Sequence, residues 1–297
     1  MCGGDYFHST VSRGDFDNMP NSERSVVVTG ASTGIGEATA LLLARQGFRV
    51  FAAVRRCEDG EKLKAQNGAI ETLLMDVTDT AAVSRAAADV AAVTGGQLYG
   101  LVNNAGIAVA GPLECLPIAE LERQLDINVI GPVRVTQAFL PMLRAAQGRI
   151  VMMSSVAGKS AMPVVGAYSA SKFALEALSD TWRVELYNWN IKVILVEPGP
   201  IQTPIWDKSA ILATGAMEGV APEKLALYSK LIEVGSRFAR KAGQSGLPAE
   251  AVAGVVLKAL TKSRPKARYM IGKGSTERML LEAMPTGLRD WILAKAI

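Results

Sequence analysis

Short runs of β-branched and apolar residues alternate along this chain with segments long enough to form amphipathic helices, and this alternation restricts the fold more than any other feature. The first units are a run at 26–29, a helical pattern at 34–46 and a second run at 49–54. Further strands are expected at 69–75, 98–102, 149–153 and 191–197, and helices over 80–93, 117–146 and 163–188. The runs are too continuously apolar to keep one face in water, so parallel strands covered by helices on both sides account for them. Helices of this length suit right-handed crossovers between such strands. The expected fold class is therefore α/β, a doubly wound parallel sheet. At 297 residues the chain is close to what one open α/β sheet can organise, and one large core is the simpler reading.

The rhythm breaks after residue 197. Residues 203–247 hold scattered helical pieces, and a helical lid is expected at about 204–247, before a helix at 248–261 and a short strand at 268–271. Residues 1–24 carry acids and Arg13 but no apolar core; they read as a loose tail and not as a secretory signal. At the other end, Met279, Leu280, Met284, Leu288, Trp291 and Ile292 recur at near-helical spacing, so 276–297 is expected to form an amphipathic helical segment. A subunit interface, the lid and a lipid surface are all possible covers for that face, with the first two preferred.

Composition narrows the function classes. Net charge is +4, with basic and acidic residues interspersed, which argues against nucleic acid as the main partner. The longest stretch without charge, 90–113, is interrupted by glycine, asparagine and proline, so no spanning helix is expected. Cys2, Cys57 and Cys115 are odd in number and have no metal or redox-dithiol spacing, pointing to reduced thiols and a cytoplasmic setting. His8, the single histidine, lies in the tail without partners.

Directly after the first strand the chain reads Thr29-Gly30-Ala31-Ser32-Thr33-Gly34-Ile35-Gly36 and then turns helical. Glycines let the backbone turn sharply and approach a pyrophosphate, while the helix start offers free N–H groups. The same turn also makes a tight strand-to-helix connection, but its place after the first strand of a βαβ pattern favours a nucleotide, as in Rossmann-type sheets. The second strand ends Val54-Arg55-Arg56. An acid here would hold the ribose hydroxyls of NAD, whereas Arg55, with Thr33, suits the 2′-phosphate of NADP. Asp76, in Met75-Asp76-Val77, could accept from the adenine amino group or could cap a helix; both readings stay open.

Four more features follow in order: Asn103-Asn104-Ala105-Gly106 after the fourth strand, Asn128 in Asp126-Ile127-Asn128-Val129, Ser155 after the fifth strand, and Tyr168-Ser169-Ala170-Ser171-Lys172. With the glycine-rich turn they resemble the short-chain dehydrogenase/reductase superfamily over residues 25–203, and Tyr168 follows Ser155 by thirteen positions as that pattern requires. Local matches at 51–55, 99–106 and 111–114 look most like its hydroxysteroid and retinol dehydrogenase branch, although 3-oxoacyl reductases share most motifs.

The resemblance implies that NADP(H) exchanges a hydride with a carbonyl or secondary alcohol. Tyr168 would be the general acid/base, and Lys172, one turn along, would favour its phenolate and bind the nicotinamide ribose. Ser155 would bond the carbonyl oxygen, and Asn128 would hold a water that relays protons through Lys172. The implied cofactor contacts begin with Gly30, Ser32, Thr33, Gly34, Ile35 and Gly36, followed by Arg55, Asp76 and Val77. Asn104, Ala105 and Gly106 come next, though this segment could equally serve to stabilise the sheet. Tyr168, Lys172, Pro198, Gly199, Ile201 and Thr203 complete the set, although Pro198-Gly199 could equally just turn the chain. A bulky apolar substrate is expected in a pocket near Val109, Met162, Val164 and Val165, in a homodimer or homotetramer. A non-catalytic NADP-binding sensor is the rival reading, and such a protein would have no need to keep Ser155, Tyr168 and Lys172.

Overall fold

In the computed structural model, residues 24–217, 219–272, 280–281 and 283–295 are described. His8, Cys2 and Met279 lie outside them. The strands β1 (Ser25–Thr29), β2 (Arg49–Val54), β3 (Ile70–Leu74), β4 (Gly100–Asn103), β5 (Arg149–Met153), β6 (Lys192–Pro198) and β9 (Arg268–Ile271) form one sheet in the order β3-β2-β1-β4-β5-β6-β9. Every pairing is parallel, as the continuous apolar runs require. The order reverses between β1 and β4, which opens a crevice at the carboxyl ends of those strands.

Alternate side chains feed two cores. Val26, Val28, Val50 and Ala52 meet α1 (Gly34–Arg45) and α10 (Ala249–Thr261) on one face. Val27, Phe51 and Leu101 meet α3 (Thr80–Thr94), α5 (Gly131–Ala145) and α6 (Gly166–Glu185) on the other. The period of two along each strand sends neighbours to opposite layers.

Several elements differ from the sequence reading. A helix α2 (Cys57–Gln66) joins β2 to β3; it buries only Gly60 and Leu63, too little to leave an apolar period. The single helix expected over 117–146 is α4 (Ile118–Leu125) and α5 with a π turn, Asp126–Ile130, between them. Pro132 supplies a physical reason, since it has no N–H to give the carbonyl of Asn128 four residues earlier.

The excursion after β6 holds three helices, α7 (Ile205–Met217), α8 (Pro222–Leu227) and α9 (Ser229–Ser245). It leaves and returns at a short parallel pair, β7 (Ile201–Gln202) with β8 (Leu247–Pro248), which no sequence pattern announced. Near the end, α11 (Thr286–Lys295) follows. Leu280, Met284, Leu288 and Trp291 stay exposed, so the lid does not cover them within the single chain. Among the described residues, no helix is long and apolar enough to cross a membrane.

Candidate active site

The turn between β1 and α1 is held by contacts that demand its glycines. A Cβ on Gly36 would lie 2.2 Å from the Gly30 carbonyl oxygen and 2.4 Å from Asn104 Nδ2. Gly30 has φ +63°, and a Cβ there would meet the Ala105 Cα at 2.7 Å. The Thr29 hydroxyl accepts from the amides of Asn104 (2.9 Å) and Ala105 (3.0 Å), and Asn104 Nδ2 donates to the Thr29 carbonyl (2.9 Å). Asn104 and Ala105 thus fasten the fourth strand's end to the glycine turn, which is the scaffold role left open above.

Thr33 precedes α1 in an extended conformation and puts no side-chain bond onto its amides, so the first-turn N–H groups of Gly34, Ile35 and Gly36 lack a cap. Ser32 and Thr33 sit at the rim of this turn, partly buried and exposed respectively. Thr203 packs over Gly34: a Cβ there would be 3.2 Å from the threonine Cβ. Lys208 of α7 donates to Thr33 Oγ1 at 3.3 Å. The sequence offered no signal for this contact, because a lone lysine on a helix reads as solvated.

Arg55 and Arg56 part company. Arg56 is engaged bidentately by Asp59, with both contacts at 3.0 Å, whereas Arg55 is exposed with no ion pair among the described residues. Asp76 Oδ1 accepts from the amide (2.9 Å) and hydroxyl (2.7 Å) of Thr78. The cap of α3 is Asp79, bonded by Ala81 and Ala82, so the helix-cap reading of Asp76 is corrected. Val77 is buried, its carbonyl taken by Arg134 and its side chain against Gly131.

At the reactive end, α6 places Tyr168 and Lys172 on one face. Lys172 is 5% exposed; its Nζ donates to the Met153 carbonyl (2.8 Å) and lies 5.6 Å from the Tyr168 ring centroid. Burial pushes the lysine down to about 8, against the opposing pull of Glu176. Burial also pushes the Tyr168 phenol up, and what pulls it down is its hydrogen bond with Ser155. The sequence reading had Lys172 favouring the phenolate; in this arrangement the ammonium is over the ring and the hydroxyl's partner is the serine. Ser155 also accepts from the Ala157 amide (3.1 Å) and donates to the Pro198 carbonyl (3.3 Å). The hydroxyl of its neighbour Ser154 is buried without a hydrogen-bond partner among the described residues.

The Asn128 side chain is taken up by its neighbours. Its Nδ2 donates to the Ile107 carbonyl (2.9 Å) and Ser171 Oγ (3.1 Å), while Oδ1 accepts from the Ile107 amide (2.9 Å). Both amide hydrogens are used, so a water would need the backbone carbonyl that Pro132 leaves without a helical donor. Gln124, missed in the sequence, clamps the same loop through the Val109 amide and Ile107 carbonyl, each at 2.7 Å. Gly106, at the mouth of this loop, packs on Asn128.

Pro198 does more than turn the chain, since its carbonyl holds Ser155 and the next amide, Gly199, donates to Ile271 (2.7 Å). Ile201 is buried in the core, leaving only its backbone to face a ligand. Val109 is buried, and Met162 and Val165 are partly so. Val164 has φ +70°, unusual for a β-branched residue, and lies under Gly235 of α9. Tyr228 donates to Glu114 at 2.5 Å and Lys224 pairs with it at 3.4 Å, tying α8 and its C-terminal end to the loop around Leu113.

Known proteins resemble this chain in sequence and in fold. A family model described as short chain dehydrogenase matches residues 24–219. The NADPH-dependent 3-dehydrocapnine reductase of Ornithobacterium rhinotracheale is 39% identical over 279 residues, covering 92% of this chain and 95% of that protein. Human 17-beta-hydroxysteroid dehydrogenase type 1 is 35% identical over 266 residues, covering 86% and 78%. A solved short chain dehydrogenase of Burkholderia cenocepacia J2315, in complex with NADP, superposes with a TM-score of 0.71 at 25% identity, over 93% of this chain and 99% of that one. On its matched length, its strand order and its relatives, the chain belongs to the short chain dehydrogenase family of oxidoreductases, close to the hydroxysteroid and retinol dehydrogenase branch.

Proposed function

We propose that this chain binds NADP(H) across the carboxyl ends of β1 and β4 and reduces a bulky apolar carbonyl compound, or oxidises the matching secondary alcohol, of steroid-, retinoid- or acyl-like character. The observation that carries the reading is the convergence of Ser155, Tyr168 and Lys172, with the serine bonded to the phenol. That convergence argues against a sensor that only binds the nucleotide. The amides of Gly34–Gly36, which no side chain caps, and the exposed Arg55 guanidinium fit a dinucleotide with a 2′-phosphate. Relatives named for NADPH or bound to NADP support the same cofactor.

The cofactor supplies the hydride; the chain fixes geometry and handles the proton. Ser155, held by the Ala157 amide, swings its one O–H from the Pro198 carbonyl to the substrate's carbonyl oxygen, which brings that oxygen beside Tyr168. Tyr168, kept protonated by burial, gives its proton to the developing alkoxide. Lys172, whose Nζ lies 5.6 Å from the phenol ring centroid, would hold the nicotinamide ribose, and its positive charge would favour the phenolate left behind. A water on the Asn128 carbonyl returns the proton through Lys172. Helices α7 to α9 form the lid, α9 covering Val164. The exposed apolar face of α11 fits a subunit interface in a homodimer or homotetramer, and the free thiols of Cys57 and Cys115 fit a cytoplasmic setting.

Cofactor choice is testable through the residues that end β2. Replacing Val54 with Asp and Arg55 with Ala removes a cation from the 2′-phosphate and adds a repulsive carboxylate. The ratio of kcat/KM for NADPH over NADH should fall by about tenfold or more. An unchanged ratio at fixed salt would make Arg55 a solvated turn residue.

A further inference from the structure

The stripe that carries Tyr168 and Lys172 along α6 continues at the same four-residue spacing to Glu176 and Asp180. Glu176 is 4% exposed, and Glu197 of β6, buried at 2%, meets it at one guanidinium nitrogen, Arg268 Nε, which is 3.2 Å from an oxygen of each. Two buried carboxylates in contact repel unless they share a proton or are fully paired. The cations present are Lys159, 3.0 Å from Glu176, and Arg268, 3.2 Å from each of Glu176 and Glu197. Arg268 is also committed to Asp180 at 2.6 Å, and Asp180 to Arg183 at 2.5 Å. Among the described residues, neither Glu176 Oε1 nor Glu197 Oε1 has a hydrogen-bond partner.

We propose that Glu176 and Glu197 form a proton-sharing carboxyl pair that sets the charge of Lys172: Glu176 bears the negative charge that keeps the ammonium protonated, and Glu197 bears the shared proton. The charged and titratable groups facing the pair are Tyr168, Lys172, Asp180 and Arg183 from α6, Lys159 from the turn after β5, and Arg268 from β9. Burial and Glu176 together push Glu197 up to about 7, and burial brings Lys172 down to about 8 with Glu176 resisting. The pair also sits where it steadies the serine, because Glu197 is followed by Pro198, whose carbonyl holds Ser155. These are positioning residues, acting on the reaction through Lys172.

The effect on Lys172 rests on its assignment as partner of the tyrosine and the ribose; the shared proton does not. Infrared difference spectra of the full chain should show a protonated carboxylic acid band at pH 6 that fades as pH rises through about 7. Glu197→Gln should abolish it. Because Glu197 binds its proton more tightly folded than unfolded, its stabilising contribution is complete below about 4.5 and is lost as pH rises through about 7. Glu197→Gln should therefore lessen the fall in Tm across that interval. Glu176→Gln should move the alkaline limb of NADPH affinity, and of kcat/KM, down by about one pH unit. A wild-type protein with no such band at pH 6, or a folded Glu176→Gln protein with both limbs in place, overturns the proposal. If Glu176→Gln does not fold, the wild-type band and the Glu197→Gln comparison decide. A chain that binds NADPH but reduces nothing would refute the catalytic reading while leaving the band and the affinity limb to judge this one.

Discussion

Tyr168→Phe is expected to keep NADPH affinity and lose turnover by about 10²- to 10⁴-fold, the usual worth of a positioned general acid. The substitution deletes one oxygen and spares the ring over which Lys172 sits, 5.6 Å from its centroid. Ser155 keeps its bonds to Ala157 and Pro198, so the site should not collapse. Single-turnover absorbance of bound NADPH separates the two effects, since binding survives and oxidation stops. Residual activity near that of the wild type would transfer the proton donor's role to Ser155 or to solvent.

Lys172→Met should lower kcat by about 10²-fold and weaken NADPH binding, because one ammonium serves both the phenolate and the ribose. Its effect on stability should have the opposite sign. An amine brought from 10.5 to about 8 by burial costs the fold about 3 kcal/mol at neutral pH. The folded state holds that proton more weakly, so the cost is full below about 8 and vanishes as pH rises through 10.5. Methionine fills similar volume without it. Part of the gain is offset because the Met153 carbonyl loses its donor. Thermal melts at pH 7 should show an unchanged or higher Tm alongside the lost activity. A lower Tm with kcat intact would make Lys172 a structural residue.

The strands were legible because a parallel sheet buried on both faces leaves unbroken apolar runs, such as 26–29 and 149–153. The proposed catalytic set stands out in the sequence because its members lie on few elements at fixed spacing, Tyr168 and Lys172 one turn apart on a single helix. What escaped is what depends on burial or on distant pairing. Helix α2 buries one large side chain, Leu63, and so has no period to read. Gly131 and Pro132 were visible, but that the helix would take a π turn over Asp126–Ile130 follows only from the chain's path. Glu176 was on view one turn after Lys172, yet its importance comes from Glu197 and Arg268, 21 and 92 residues away in sequence. Two-residue strands such as β7 and β8 are shorter than any pattern.

The site was more predictable than its second layer for the same reason. Reacting groups must come in particular residue types, whereas the groups that fix Asn128, Ser155 and the 104–109 loop are mostly backbone amides and carbonyls, which every residue has.

The decisive measurement is the oxidation of NADPH, followed beside NADH at fixed salt, across a panel of steroid, retinoid and acyl ketones. The account predicts that at least one bulky apolar ketone drives NADPH oxidation, with kcat/KM about tenfold or more above that for NADH. Turnover of no carbonyl in the panel or of its matching alcohols, or a clear preference for NADH, would contradict it.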